Sequence, residues 1–190
     1  MAAASHLIDT HGPHGAEVTI RSIADTAGAA LGSVCRYFED LEDLVAAVAA
    51  DYMNDLLAIG VEVDRAAPED EDFSSFNTRN VAAYQTFFRQ RPGLRALWFD
   101  RRASERIHRM HAQYRRLLAE QHRAMLARYL TSEGDLFEYT MHVEVLASLW
   151  NLAFTLDPTG DPAVILEIED LHRDFVRRRQ ARSAPPGKTE

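Results

Sequence analysis

With 190 residues, 46% of them apolar, the chain can bury the core of one domain, or of a small domain and a larger one, which excludes a disordered polymer. It has no run approaching the ~18 uncharged apolar residues of a spanning helix, and its start, MAAASHLIDTHG, lacks the basic flank and apolar run of a secretory signal; cytoplasmic residence without a membrane partner is expected. The formal net charge of −8 has the wrong sign for long-range attraction to nucleic acid, so any reading of bases must rest on local geometry.

Apolar residues recur at helical spacing almost throughout, and no alternating β-branched run argues for a sheet. The predicted class is all-α, with about nine helices divided by HGPHG at 11–15, Gly28, the acidic 66–72 stretch, Arg91-Pro92-Gly93, SEGD at 132–135 and DPTGDP at 157–162. Ala4, Leu7 and Ile8 supply a first short helix. Thr19 is the expected N-cap of a second, whose Ile20, Ile23, Ala24 and Ala27 share a face. Gly28 is placed to take the left-handed conformation that ends this helix and turns the chain into a third, from about Ala30 to Phe38, with Val34 and Phe38 inward.

A long helix from Glu42 to about Val63 follows, with Leu44, Val45, Val48, Tyr52, Leu56 and Ile59 as one apolar stripe, and is expected to join two domains. Further helices are predicted over Phe73–Arg89, Leu94–Arg101, Ser104–Leu130, Leu136–Leu156 and Ala163–Arg182. The helix from Leu136 is apolar on nearly all sides and needs cover from its own domain and from a partner subunit. Residues 1–45 are therefore expected to form one module, 46–182 a second, and 183–190 (SAPPGKTE) a disordered end. Residues 101–128 hold eight arginines against Glu105 and Glu120, which reads as a solvated helix face, some of it paired with the acidic 62–72 segment.

The run IADTAGAALGSVCRYFEDLEDLVAAV carries Ile23-Ala24, Ala27-Gly28, Gly32, Tyr37-Phe38 and Glu42-x-Leu44, and in these it resembles the helix-turn-helix of TetR-family transcriptional regulators. The resemblance covers about 45 residues. It implies a reading helix in the DNA major groove, with Thr19 and Tyr37 on phosphates and Leu31, Ser33, Val34 and Arg36 on or near the bases; Arg21, Ala30 and Gly32 complete the expected DNA-contacting set. Arg36 is the chosen guanine reader, because its fork matches the O6/N7 edge; the competing role is a surface pair with Glu39 or Asp40. Gly32 would let the backbone approach the duplex closely.

Three positions depart from the family pattern: Ala30 lacks a capping hydroxyl, Cys35 stands where a tyrosine is usual, and Leu41 where a lysine is. Residues 1–50 hold only Arg21 and Arg36 against seven carboxylates, a side-chain net of −5, so weak phosphate affinity is expected. The first helix starts almost at Met1 without a basic arm, which fits either a true start further upstream or a member that has lost strong operator binding.

By the same resemblance, the second module dimerises and binds a small apolar effector. Tyr84, Phe87, Phe88, Trp98, Met110, Tyr114, Leu118, Trp150 and Phe154 are the candidate pocket, with Gln113, Tyr114, Asn151 or Thr155 as polar anchors. Leu146, Leu149, Ile168, Leu171 and Phe175 are the candidate dimer contacts, in a four-helix interface that sets two reading helices ~34 to 36 Å apart on operator DNA. Effector binding would shift that separation, most simply to release a repressor; a homodimer with weak or lost DNA binding, serving as a ligand-binding or protein-interaction module, is the rival.

Other chemistry finds little support. Cys35 has no disulfide partner, and neighbouring carboxylates disfavour its thiolate. No nucleophile elbow, phosphate-binding glycine loop or dinucleotide fingerprint occurs, so neither an enzyme nor a cofactor is expected. His108 and His111 lie at i, i+3, which would place them on one helix face, yet no third ligand is spaced to complete a shell, and spacing does not position His122, His142 or His172; no metal site is expected.

Overall fold

The computed structural model describes residues 1–99, 104–131 and 134–183, and within them every regular element is helical. The order is α1 (Ala2–His11), α2 (Ile20–Thr26), α3 (Leu31–Tyr37), α4 (Leu41–Arg65), α5 (Phe73–Gln90), α6 (Pro92–Trp98), α7 (Glu105–Leu126), a 3₁₀ turn (Ala127–Tyr129), α8 (Leu136–Leu156) and α9 (Pro162–Ser183). The expected end of α6 at Arg101 and the 184–190 tail lie outside the described residues.

Short polar side chains begin most of these helices by accepting from amides that have no partner inside the helix. Asp40 accepts from Asp43, Asp72 from Ser75, Asp135 from Phe137, and Asp161 from both Ala163 and Val164. Helix α6 starts at Pro92 rather than at Leu94, because proline at the first helical position gives up an amide that would bond nothing. The last turn before Leu130 tightens to 3₁₀ instead of continuing α7.

The helices form two compact units. The first comprises residues 1–56 and 87–114, with Ala4, Ile8, Val18, Ile23, Ala24, Leu44, Val45, Val48, Tyr52, Leu94, Leu97 and Ile107 buried. Its α1 and α6 meet closely: the Gly93 amide donates to Asp9 Oδ1 (2.7 Å), and the Tyr52 hydroxyl donates to the Ser5 carbonyl (3.1 Å). A Cβ on Gly93 would stand 2.7 Å from that carboxylate and 2.9 Å from both Ile8 Cγ2 and Tyr52 Oη, so only glycine fits. Burial, then the Asp9 charge, raise the Tyr52 phenol far above its usual range and keep it a donor. On α7, Arg106 pairs with Asp43 (2.7 Å).

Helix α4 includes a stretch long and apolar enough to cross a membrane by composition. Asp51 and Asp55 interrupt it, and its apolar stripe is spent on the core, with Leu44, Val48, Ala49, Tyr52 and Met53 essentially inaccessible. Its residues up to Leu56 belong to the first unit and those from Leu57 to the second.

The second unit comprises residues 57–86 and those from 115 onward, around Val63, Phe76, Ala119, Met125, Leu126, Tyr139, Phe175 and Val176. Phe73, Phe76 and Tyr129 form an aromatic triad with ring centres 5.2–6.4 Å apart. Arg79 lies 5.5 Å over Phe76, donates to the Val63 carbonyl (2.7 Å) and grips Glu71 through two nitrogens at 2.6 and 3.0 Å, which holds the Glu71 carboxyl below its usual range. Helices α8 and α9 pack along one another, with Glu138 bridged to both Arg179 and Arg182. Of the arginine-rich 101–128 segment, Arg128 reaches the acidic stretch at Asp64 (3.8 Å), Arg115 pairs with Glu144 and Arg116 with Glu120.

Candidate functional site

Helix α2 is closed at both ends by local bonds. Thr19 Oγ1 accepts from the Ser22 amide and Ser22 Oγ from the Thr19 amide, both at 3.0 Å, a reciprocal cap at the start of α2. At the other end Gly28 has φ +63°, the Ala29 amide bonds the Ala24 carbonyl and the Gly28 amide that of Asp25, which together close the helix and redirect the chain. Ile23 and Ala24 are buried beneath it. Thr19→Ala removes one half of the cap, and chemical denaturation is expected to show a loss of about 1 kcal/mol; an unchanged midpoint would mean that Ser22 caps α2 unaided.

Helix α3 has no buried residue. Val34 and Phe38 are half-buried and seat it on the module, while Leu31, Gly32, Ser33, Cys35, Arg36 and Tyr37 face outward, Tyr37 with 77% of its surface exposed. Ala30 stands at the N-cap without a side-chain hydrogen bond, as expected of a residue with no hydroxyl. A Cβ on Gly32 would meet nothing within 4 Å, so the module itself gives no reason for glycine there. Neither Arg21 nor Arg36 makes an ion pair among the described residues, although Arg36 stands close in sequence to Glu39 and Asp40. Asp40 is used in capping α4 and Asp43 holds Arg106, which leaves the Arg36 guanidinium exposed.

The nine expected pocket residues divide between the units. Phe87, Phe88, Trp98, Met110 and Tyr114 belong to the first, where the Tyr114 hydroxyl donates to Asn54 Oδ1 (2.8 Å) and Trp98 packs 4.9 Å from buried His111. Tyr84, Leu118, Trp150 and Phe154 belong to the second; Trp150 and Phe154 are buried and stacked. Among the proposed anchors Gln113 and Thr155 are exposed, and Thr155 is bonded to its own helix at Asn151. A polar point not anticipated from sequence lies at Gly60 on α4. A Cβ there would be 2.5 Å from Gln121 Oε1 and 2.9 Å from Tyr84 Oη, and Gln121 Nε2 donates to the Leu57 carbonyl at 2.7 Å. Burial raises the Tyr84 phenol well above its usual range.

The five expected dimer contacts differ in their exposure. Ile168, Phe175 and Leu146 are buried by their own unit, Ile168 completely, while Leu149 and Leu171 are half-buried. The exposed apolar row on α8 is instead Phe137, Met141, Val145, Leu152 and Leu156, with Leu166 exposed on α9. Helix α8 is apolar all round, so periodicity does not say which face turns inward.

Two expectations about histidine also change. His111 is buried and His108 exposed, so they do not form a pair. His122 on α7, His142 on α8 and His172 on α9, separated by twenty and thirty residues in sequence, are brought together in the second unit and are all buried, one ring nitrogen from each lying within 4.8 Å of the others. Burial holds His122 down at about 4 and pushes His142 and His172 well below the usual imidazole range, which favours the neutral rings.

A family model described as "Tetracyclin repressor-like, C-terminal domain" matches residues 71–175, more than half of the chain. No curated protein matches it. Similar solved structures include a TetR-family transcriptional regulator from Streptomyces coelicolor (21% identity, 94% of this chain and 95% of that one, TM-score 0.67). Also similar are the fatty acid degradation regulator FadR from Bacillus halodurans (18%, 92% and 95%, 0.61) and a TetR variant from Acinetobacter baumannii AYE in complex with minocycline (18%, 94% and 94%, 0.52).

Proposed function

The chain belongs to the TetR family of transcriptional regulators, which are not enzymes, and from that premise we propose that it is a homodimeric, cytoplasmic repressor released from operator DNA by a small, largely apolar ligand. The observation that carries the DNA half is α3: a helix with no buried residue, bearing an unpaired Arg36, follows a helix closed at both ends by local bonds. Residues 1–45 form the reading module in this proposal, with Thr19 and Tyr37 on phosphates, Arg36 on a guanine, and Leu31, Gly32, Ser33 and Val34 along the groove floor. Arg21 adds the other free cation. Residues 46–182 supply effector binding and dimerisation.

The effector site in this reading lies within the second unit, where Tyr84, Leu118, Trp150 and Phe154 supply apolar walls and Gln121 a polar anchor. Similar structures that regulate fatty acid degradation or hold minocycline support a ligand of that character. The exposed row on α8 is the dimer face, self-complementary about a two-fold axis.

A band shift of the full chain on its own upstream DNA, titrated across salt, tests the DNA half. Arg36→Ala is expected to weaken specific binding about 5- to 150-fold, equivalent to losing ~1–3 kcal/mol of base discrimination. The salt slope is expected to be shallow, since so few cations are available to displace counterions from phosphate. Equal affinity of Arg36→Ala and the parent chain would remove Arg36 as a reader.

The module's net of −5 and the uncapped Ala30 favour a second reading, a dimer of this fold that binds ligand or protein with little DNA affinity. The absence of any retardation at low salt would favour it.

A further inference from the structure

The histidine trio has a use that neither DNA reading nor an apolar effector explains. Its three ring centres form a nearly equilateral triangle, with sides of 5.1, 5.2 and 5.1 Å. An imidazole bound through one nitrogen at the ~2.0–2.1 Å of a zinc–nitrogen bond keeps its ring centre roughly 3.2 Å from the metal, so two such rings on tetrahedral directions stand about 5.2 Å apart. The three helices already hold the rings at that separation. The ring nitrogens, within 4.8 Å of one another, need to come to roughly 3.3 Å, and the broad χ2 torsion is what turns each ring.

The lone pairs are also available. Nε2 of His122, His142 and His172 is in each case buried without a hydrogen-bond partner. For His172 the tautomer follows from its neighbour: Asn77 Nδ2 donates to the Glu169 carbonyl (2.9 Å), which turns Asn77 Oδ1 toward His172 Nδ1 at 2.8 Å. An amide oxygen only accepts, so Nδ1 carries the proton and Nε2 the electron pair. This is the outer hydrogen bond that orients metal-ligating imidazoles elsewhere. In the single chain His142 also lines a surface cavity of about 240 Å³, beside Met141 and Val145 of the proposed dimer face.

We propose that His122, His142 and His172 bind one divalent transition-metal ion of zinc-like, borderline-soft character, leaving a fourth position for water or an outside ligand. Three imidazoles without a thiolate or carboxylate suit zinc, copper or nickel, and not calcium or magnesium. Arg178, exposed on the wall of the same cavity, opposes the added positive charge at His142. The site lies within one unit and needs neither an operator nor the regulator reading.

The test uses the full chain, stripped with chelator and titrated with Co²⁺, then Zn²⁺. One equivalent of Co²⁺ per chain is expected to give the visible absorption of a tetrahedral nitrogen-rich site, discharged by Zn²⁺. Zinc at one hundred times its Kd is expected to raise the unfolding midpoint by roughly 5–10 °C. His142→Gln should weaken binding at least ~30-fold and Asn77→Ala roughly 10- to 100-fold, whereas exposed His108→Gln leaves it unchanged. Arg178→Gln, which disturbs no core, should tighten binding about 2- to 10-fold and decides the matter if the core variants do not fold. Absence of both the absorption band and the midpoint shift in the intact chain, or equal affinity in the parent and in folded His142→Gln, would overturn the site.

Discussion

The double substitution Val145→Glu and Leu152→Glu is expected to leave a monomer near 21.4 kDa in light scattering, where the parent chain is expected to give a dimer. Phe137, Met141, Val145, Leu152 and Leu156 fall four, four, seven and four residues apart, which keeps them within one third of the helix circumference. Phe137 is 64% and Leu156 60% exposed, a density of large apolar surface that soluble chains rarely leave in water. A two-fold axis doubles every defect, so two glutamates per chain bury four charges without partners. The dimer constant should rise on the order of a thousandfold or more, equivalent to ~4 kcal/mol or more. Since both sites point away from the buried core of α8, the helical signal in circular dichroism should persist. A parent chain that is itself monomeric at tens of micromolar would defeat the two-fold interface; a double variant that stays dimeric would move it off this face.

Phe76→Ala is expected to lower stability by about 3–5 kcal/mol, measured by denaturant unfolding. The ring is 1% exposed, it meets Phe73 and Tyr129 at tilted angles, and it lies under the Arg79 guanidinium. Truncation therefore opens a void and removes the aromatic floor from a cation whose other contacts, to Glu71 and the Val63 carbonyl, depend on its position. Exposed Val61→Ala is the control, expected to change unfolding by under ~0.5 kcal/mol. A loss below about 1 kcal/mol for Phe76→Ala would mean that the second unit closes around the gap.

Much of the fold was legible because local chemistry fixes it. The two ends of α2 follow from Thr19 and Gly28, and α8 spans Leu136–Leu156 as periodicity predicts, with Asp135 supplying the cap. The start of α6 was misplaced by two residues because Pro92-Gly93 reads as a break, whereas proline there begins the helix. The exposed apolar face of α8 was not legible: a helix apolar on every side gives no phase, and only burial separates Leu146 from Val145. The histidine trio was invisible for another reason. Its members lie on three different helices, and only tertiary packing of α7, α8 and α9 joins them.

The contact at Gly93 has a mechanical result. With its amide bonded to Asp9 and no room for even a methyl group against Ile8 and Tyr52, α6 and α1 have no slack joint between them. Whatever displaces α6 drags the amino-terminal helix along as a lever drags its load. Gly93→Ala is therefore expected to pry the two apart while leaving the local bonds at both ends of α2 in place.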